Sequence, residues 1–262
     1  MNALPIHVFA SEWLKLRSVR STFRTLGVVV LFVLLCGLWS WFAASSWDEM
    51  TSEEQAIATM APAVQPLVLA LPICAAVIGG LAMTSEYATG MIRTSLAVVP
   101  RRGLLFAAKA AVAATVTLVT ALVGLSVALA LGRLIVGDRP ISTFEPSVGE
   151  QVPHLLTLSA AAAVIALVTC GTGAVLRSTA GTLTVVIVLV AVLPQVANLV
   201  PAPWGERLLS VLPLMLPFQI VAAPGASQDL GVLSPAAASA VLAAYAIVAL
   251  AIGAFSFVRR DS

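Results

Sequence analysis

The chain has 262 residues, of which 60% are apolar and only 10% charged, against roughly 25% charged in a soluble domain. That balance excludes a water-soluble fold, because one chain of this size cannot hide so much apolar surface, and lipid is the solvent it calls for. The net charge of +2 excludes nothing as a total, and Cys36, Cys74 and Cys170 stand alone inside apolar runs, which excludes a disulfide framework and reads as small buried residues.

Residues 1–25 contain SEWLKLRSVRSTFR. Phe9, Trp13 and Leu16 recur at helical spacing, and Lys15, Arg17, Arg20 and Arg24 supply positive charge, a pattern that predicts a helix lying in the membrane interface. A basic tail that only sets topology is the plainer alternative. The apolar run that follows is longer than the core of a secretory signal and starts late, so it is read as a retained span.

That first span covers 26–44, 19 residues without a charge, closed by Trp39, Trp41 and Trp47. An acidic stretch with Asp48, Glu49, Glu53 and Glu54 comes next. The second span covers 61–84, with an irregular outer half expected from Pro62, Pro66 and Pro72. A polar island at 86–102 separates it from a long third span at 104–131, where Lys109 is expected to snorkel to the headgroups. After a polar loop to Pro153, the fourth span covers 155–176. A very short turn at 177–181 makes the fifth span, 183–200, its antiparallel neighbour. The segment 204–228 is apolar but broken by Pro213 and Pro217, and suits short re-entrant or interfacial helices. The sixth span covers 236–258 and is closed by Arg259 and Arg260. The fold class is thus an all-α integral membrane protein, a single transmembrane domain over 1–262.

With both termini cytoplasmic, 11 of the 14 basic residues fall on inside segments and 9 of the 12 acids outside, in keeping with the positive-inside bias. No GxxxxGK[ST], HExxH or GxSxG pattern is present, so neither a phosphate loop nor a metal or nucleophile site is expected. His7 and His154 have no partner at ligand spacing. None of the six cores holds Asp or Glu, which disfavours ion-coupled transport.

The run Glu86-Tyr87-Ala88-Thr89-Gly90-Met91-Ile92-Arg93-Thr94, followed by Pro100-Arg101-Arg102 and Lys109, resembles the cytoplasmic loop of bacterial ABC-transporter permeases of the type-2 exporter family. Glu12-Trp13-Leu14-Lys15-Leu16-Arg17-Ser18 ahead of the first span resembles the same family. The resemblance implies an N-terminal interfacial helix, six spans, a cytoplasmic coupling helix between spans two and three, and short outer helices before span six. It also implies a half-transporter in the bacterial cell membrane. Two permease chains pair, a separate cytosolic ATPase carries the ATP and Mg, and the cargo moves outward. Nucleic acid is not an expected partner.

In that frame Gly90 ends the second span, 91–99 forms the docking helix, and Pro100 limits it. Arg101 and Arg102 meet lipid phosphates or ATPase carboxylates, and Glu86 pairs with one of these arginines or with Arg17. Each has a plainer reading beside it: lipid anchoring for the basic residues and Lys109, a helix stop for Gly90, an interfacial carboxylate for Glu86. The competing functions are an ATP-independent carrier or channel, a membrane-embedded enzyme, and a non-transporting sensor or anchor. Drug-like, peptide, lipid or polysaccharide cargo all fit the residues.

Overall fold

The computed structural model describes residues 3–99, 101–141, 148–222 and 232–259. Pro100, Glu145, Arg260 and the stretch 223–228 therefore lie outside the described residues. Among the described residues, six helices are long and apolar enough to cross a membrane. They are α2 (Arg20–Glu49), α4 (Gln65–Ala88), α6 (Arg102–Val136), α7 (Val148–Leu176), a composite fifth, and α12 (Pro235–Arg259). The composite consists of α8 (Thr179–Ile187), a π-helical turn (Val188–Val192) and α9 (Leu193–Leu199). The shorter helices among the described residues are α1 (Ala3–Ser18), α3 (Ser52–Ile57), α5 (Ile92–Val98), α10 (Trp204–Val211) and α11 (Leu216–Ile220).

The apolar runs locate all six long helices, but local chemistry moves several ends. Chain 1–25 is not one element. Val19 takes an extended conformation, so Arg20 and Arg24 open the first turns of α2 instead of ending α1. The irregularity expected from the prolines is confined to 58–64. Pro66 sits in the first turn of α4, where a missing N–H costs nothing, and Pro72 is carried inside the helix. Pro153 likewise lies within α7, so His154 belongs to that helix and not to a loop. The π-helical turn directly precedes Pro194, which stands in the first turn of α9. A proline leaves a carbonyl one turn back without its donor, and widening that turn is a recurrent way to absorb the mismatch.

α4 is the most buried of the six long helices and packs against α2, α6, α7 and α8. Small residues set these distances. A side-chain carbon added to Gly79 of α4 would collide with the backbone of Ala166 on α7. One added to Gly171 of α7 would collide with the backbone of Ala249 on α12. Gly79 and Gly171 are therefore packing residues, as expected where helix backbones approach closely in lipid.

The outward faces are apolar. On α2, Leu34, Leu38, Trp41 and Phe42 are exposed, surface that water would punish and hydrocarbon accepts. At 35 residues α6 is about 52 Å long, so it reaches past a hydrocarbon core of about 30 Å.

The two ends of the bundle differ. α1 and α5 lie at one end. At the other, Trp47, Val136 and Ile141 form a small apolar cluster. Beside it Arg139 grips Asp48 with two hydrogen bonds, Nε to Oδ1 at 2.8 Å and Nη2 to Oδ2 at 2.7 Å, and also donates to the Val136 carbonyl. α3 sits at this end too, with a capping box in which Thr51 and Glu54 satisfy each other's backbone N–H groups. In the segment after the fifth span, α10 and α11 are the two short helices among the described residues. Gln219 ties them to the start of α12 by donating to the Ser210 carbonyl and accepting from Leu233 N–H.

Candidate functional site

The residues singled out from the sequence converge on the α1 end, and their centre is a buried group of four charges. Glu12 of α1, Glu86 of α4 and Lys109 of α6 are all almost fully buried, at 4%, 5% and 2% exposure. Lys15 of α1 completes the group at the surface. Lys109 Nζ lies 2.7 Å from Glu12 Oε2 and 2.7 Å from Glu86 Oε1. Lys15 Nζ lies 2.7 Å from Glu12 Oε1 and 2.9 Å from Glu86 Oε1, and donates a third bond to Ser95 Oγ of α5 at 3.1 Å. Two acids and two bases cancel, and this allows so much charge to leave water. An uncompensated buried ion would shift its protonation or unfold its surroundings.

Two expectations are corrected here. Lys109 does not snorkel to headgroups: its stem is too deeply enclosed, and two carboxylates from remote segments meet its ammonium inside. Glu86 pairs with Lys15 and Lys109 and not with Arg17, which is exposed on the far side of α1. The buried face of α1 is also not the one marked by its aromatic residues. Val8, Glu12 and Leu16, four residues apart, are buried. Phe9 and Trp13 stack on each other at 6.5 Å between ring centres, half-buried at the flank.

Burial alone would lower the Lys15 pKa, but its hydrogen bonds to Glu12 and Glu86 and their charges outweigh it and hold the value above the usual 10.5. Lys15 is a cation throughout the neutral range.

The loop between α4 and α6 is built around this group. Gly90 has φ +71° and no atom within 4 Å of where a side chain would start, so its backbone conformation alone asks for glycine. The chain then turns into α5, whose Ile92 is buried against Leu105, Phe106 and neighbouring apolar residues. Met91, Arg93, Thr94 and Val98 are exposed on it. Arg101 is exposed and Arg102 half-buried at the start of α6.

Next to the charge group, Arg177 from the α7–α8 turn lies over the Tyr87 ring at 5.3 Å, and Thr179 donates to Thr84 at 2.8 Å. Ser95, Arg177 and Thr179 carry no signal in the sequence that marks them as partners of this site, and the sequence pattern of Lys109 suits a lipid anchor. A lysine embedded in an alanine-rich run was the one available hint.

Among the described residues no group of His, Cys, Asp or Glu is placed to hold a metal ion. The cluster offers no open nucleophile or acid–base pair aimed at a substrate. Its ion pairs fasten α1, α4 and α6 together, and the Lys15 hydrogen bond to Ser95 adds α5. Six apolar helices around such a fastening define a multi-pass membrane protein, and a transport permease in class. A family model described as ABC-2 family transporter protein matches residues 8–212, and the chain belongs to that family. No curated protein matches it.

Proposed function

We propose that this chain is the transmembrane permease subunit of an ATP-driven exporter. A separate cytosolic ATPase supplies ATP and Mg, and a second permease chain, identical or similar, completes the pathway. Both termini are then cytoplasmic, in a bacterial cell membrane, and the α1 end faces the ATPase. The cargo is drug-like, peptide or lipid.

One observation carries this reading. α5 turns Met91, Arg93, Thr94 and Val98 outward while its Ser95 holds Lys15, and through Lys15 the buried charges of α1, α4 and α6. A partner pressing on α5 would load two membrane helices at once. Gly90 gives the sharp turn that lets α5 project, and Arg101 and Arg102 add positive charge beside it for acidic residues or lipid phosphates.

The test is a mild-detergent purification of the tagged chain, with co-purifying proteins identified and ATP hydrolysis assayed. A stoichiometric ATPase is expected. Arg93→Glu with Arg101→Glu, both on exposed positions, should lower its recovery at least about tenfold while the helices still insert. A chain that purifies alone, without nucleotide hydrolysis, would overturn the proposal.

A further inference from the structure

Between α2 and α6 runs a groove of about 560 Å³. Six valines make its walls, Val29, Val30 and Val33 on α2 and Val119, Val123 and Val127 on α6. Val30 and Val123 are exposed, so the groove opens on the outside of the bundle. Valine side chains hold one rotamer on a helix, so the groove is pre-formed and does not close by rearrangement. Contacts between the two helices fix its depth. Gly124 faces Val29 and Val33, Gly37 faces Leu131 and Ile135, and Arg139 grips Asp48. Thr120, at the α1 end of the groove, is therefore level with residues 26–29, the first apolar turn after the exposed Arg24. From there the groove runs about 16 Å along α6 to Leu131.

Thr120 stands near the midline of the α6 stripe that lines the groove. Its Oγ1 makes no hydrogen bond within the protein and is not shut off from the surface. Thr115, by contrast, donates to the Ala111 carbonyl. At hydrocarbon depth no water answers a hydroxyl, and an unanswered one costs free energy. The occupant that fits best brings hydrocarbon along the valines and a free acceptor at Thr120. A helix of a second copy brings no backbone acceptor, since its carbonyls are bonded within it. A glycerolipid brings both, because its ester carbonyls sit where headgroups give way to chains, the level of Thr120.

We propose that this groove holds one ester-linked membrane phospholipid from the leaflet on the α1 side. Thr120 donates to an ester carbonyl, and the acyl chain lies along the valines towards Leu131. The inference rests on α2 and α6 spanning the membrane, and on neither the ATPase nor the orientation of the chain.

The experiment places the full chain in nanodiscs holding equal amounts of diester and diether phosphatidylcholine with matched chains. Native mass spectrometry then identifies the last lipid to leave each chain as collisional activation rises. One phosphatidylcholine per chain is expected, with diester favoured over diether by about threefold to tenfold, the range for one neutral hydrogen bond. Thr120→Val keeps the shape of the groove and removes the hydroxyl. It should still retain one lipid but lose the preference for the ester. Val123→Trp and Val30→Trp fill the groove from opposite walls at exposed positions. Either one that keeps the wild-type melting temperature should retain no lipid. Equal retention of diester and diether by the parent chain would mean that Thr120 turns back to the Val116 carbonyl and reads no ligand, and would overturn the proposal. So would an ester preference that survives Thr120→Val, or a lipid-free dimer that Val123→Trp dissociates, which would seat a second copy in the groove.

Discussion

At the scale of single residues, Lys109 is the member of the charge group whose loss should matter most. Of the two lysines in the group it is the one almost wholly enclosed, and each of its two partners is enclosed as well. Lys109→Met should cost about 3–5 kcal/mol, the range for stranding a buried charge, read as a lowered melting temperature in detergent. Adding Glu86→Leu should return much of that loss, since Glu12 and Lys15 then remain as a balanced pair at 2.7 Å. Two equally damaged variants would mean that packing, and not charge balance, holds the site.

The raised pKa of Lys15 gives a sign that can be checked. A base whose pKa is raised on folding stabilises fully below its unfolded value and loses that contribution only as pH rises through the folded one, here above 10.5. The stability difference between wild type and Lys15→Met should therefore be the same at about pH 6 and about pH 9.

The resemblance singles out Glu12 and Lys15 in one stretch and Glu86 in another, and the expected partner of Glu86 is an arginine, so the group itself is not legible in the sequence. A helical wheel weights hydrophobicity and turns Phe9 and Trp13 inward. The structure turns Glu12 inward, because two lysines, one of them 97 residues away, neutralise it. Nothing local records such a pairing. The span of Lys109 was legible and its environment was not, for the same reason.

At the scale of elements, the agreement between apolar runs and helices has a simple cause. In hydrocarbon every backbone group must be bonded within its own helix, so length and composition nearly determine the element. What they leave open is the junctions. The break at Val19 has no proline or glycine to announce it, and the π-helical turn before Pro194 depends on how the fifth helix absorbs a missing donor.

Helix contacts are more legible than junctions, because small residues mark them. Gly171→Val should destabilise by about 1–3 kcal/mol or more, an overpacking cost, since the new side chain meets the backbone of Ala249. Gly27→Ala, where nothing lies within 4 Å, should leave the melting temperature unchanged or slightly higher. If both substitutions behave alike, close approach is not what selects glycine at Gly171.

At the scale of the whole molecule, orientation is the property that a charge census can argue and labelling can decide. Cys36, Cys74 and Cys170 are all buried, so a membrane-impermeant thiol reagent should leave the parent chain unmarked. A cysteine at Glu53 should then react in intact cells, and one at Thr94 only after the membrane is opened. The reverse pattern would invert the topology and place α5 out of reach of any cytosolic partner.

The bidentate grip of Arg139 on Asp48 has a mechanical meaning once it is set against the charge group about 40 Å away along α6. α2 and α6 run side by side in the same direction. The first grip joins their far ends, and Lys109 moors the near end of α6 to α1 and α4. A strut held at both ends resists bending and passes on rotation. A rotation of α6 at its Lys109 end would therefore carry α2 with it, so that the two helices turn together as far as the Arg139 end.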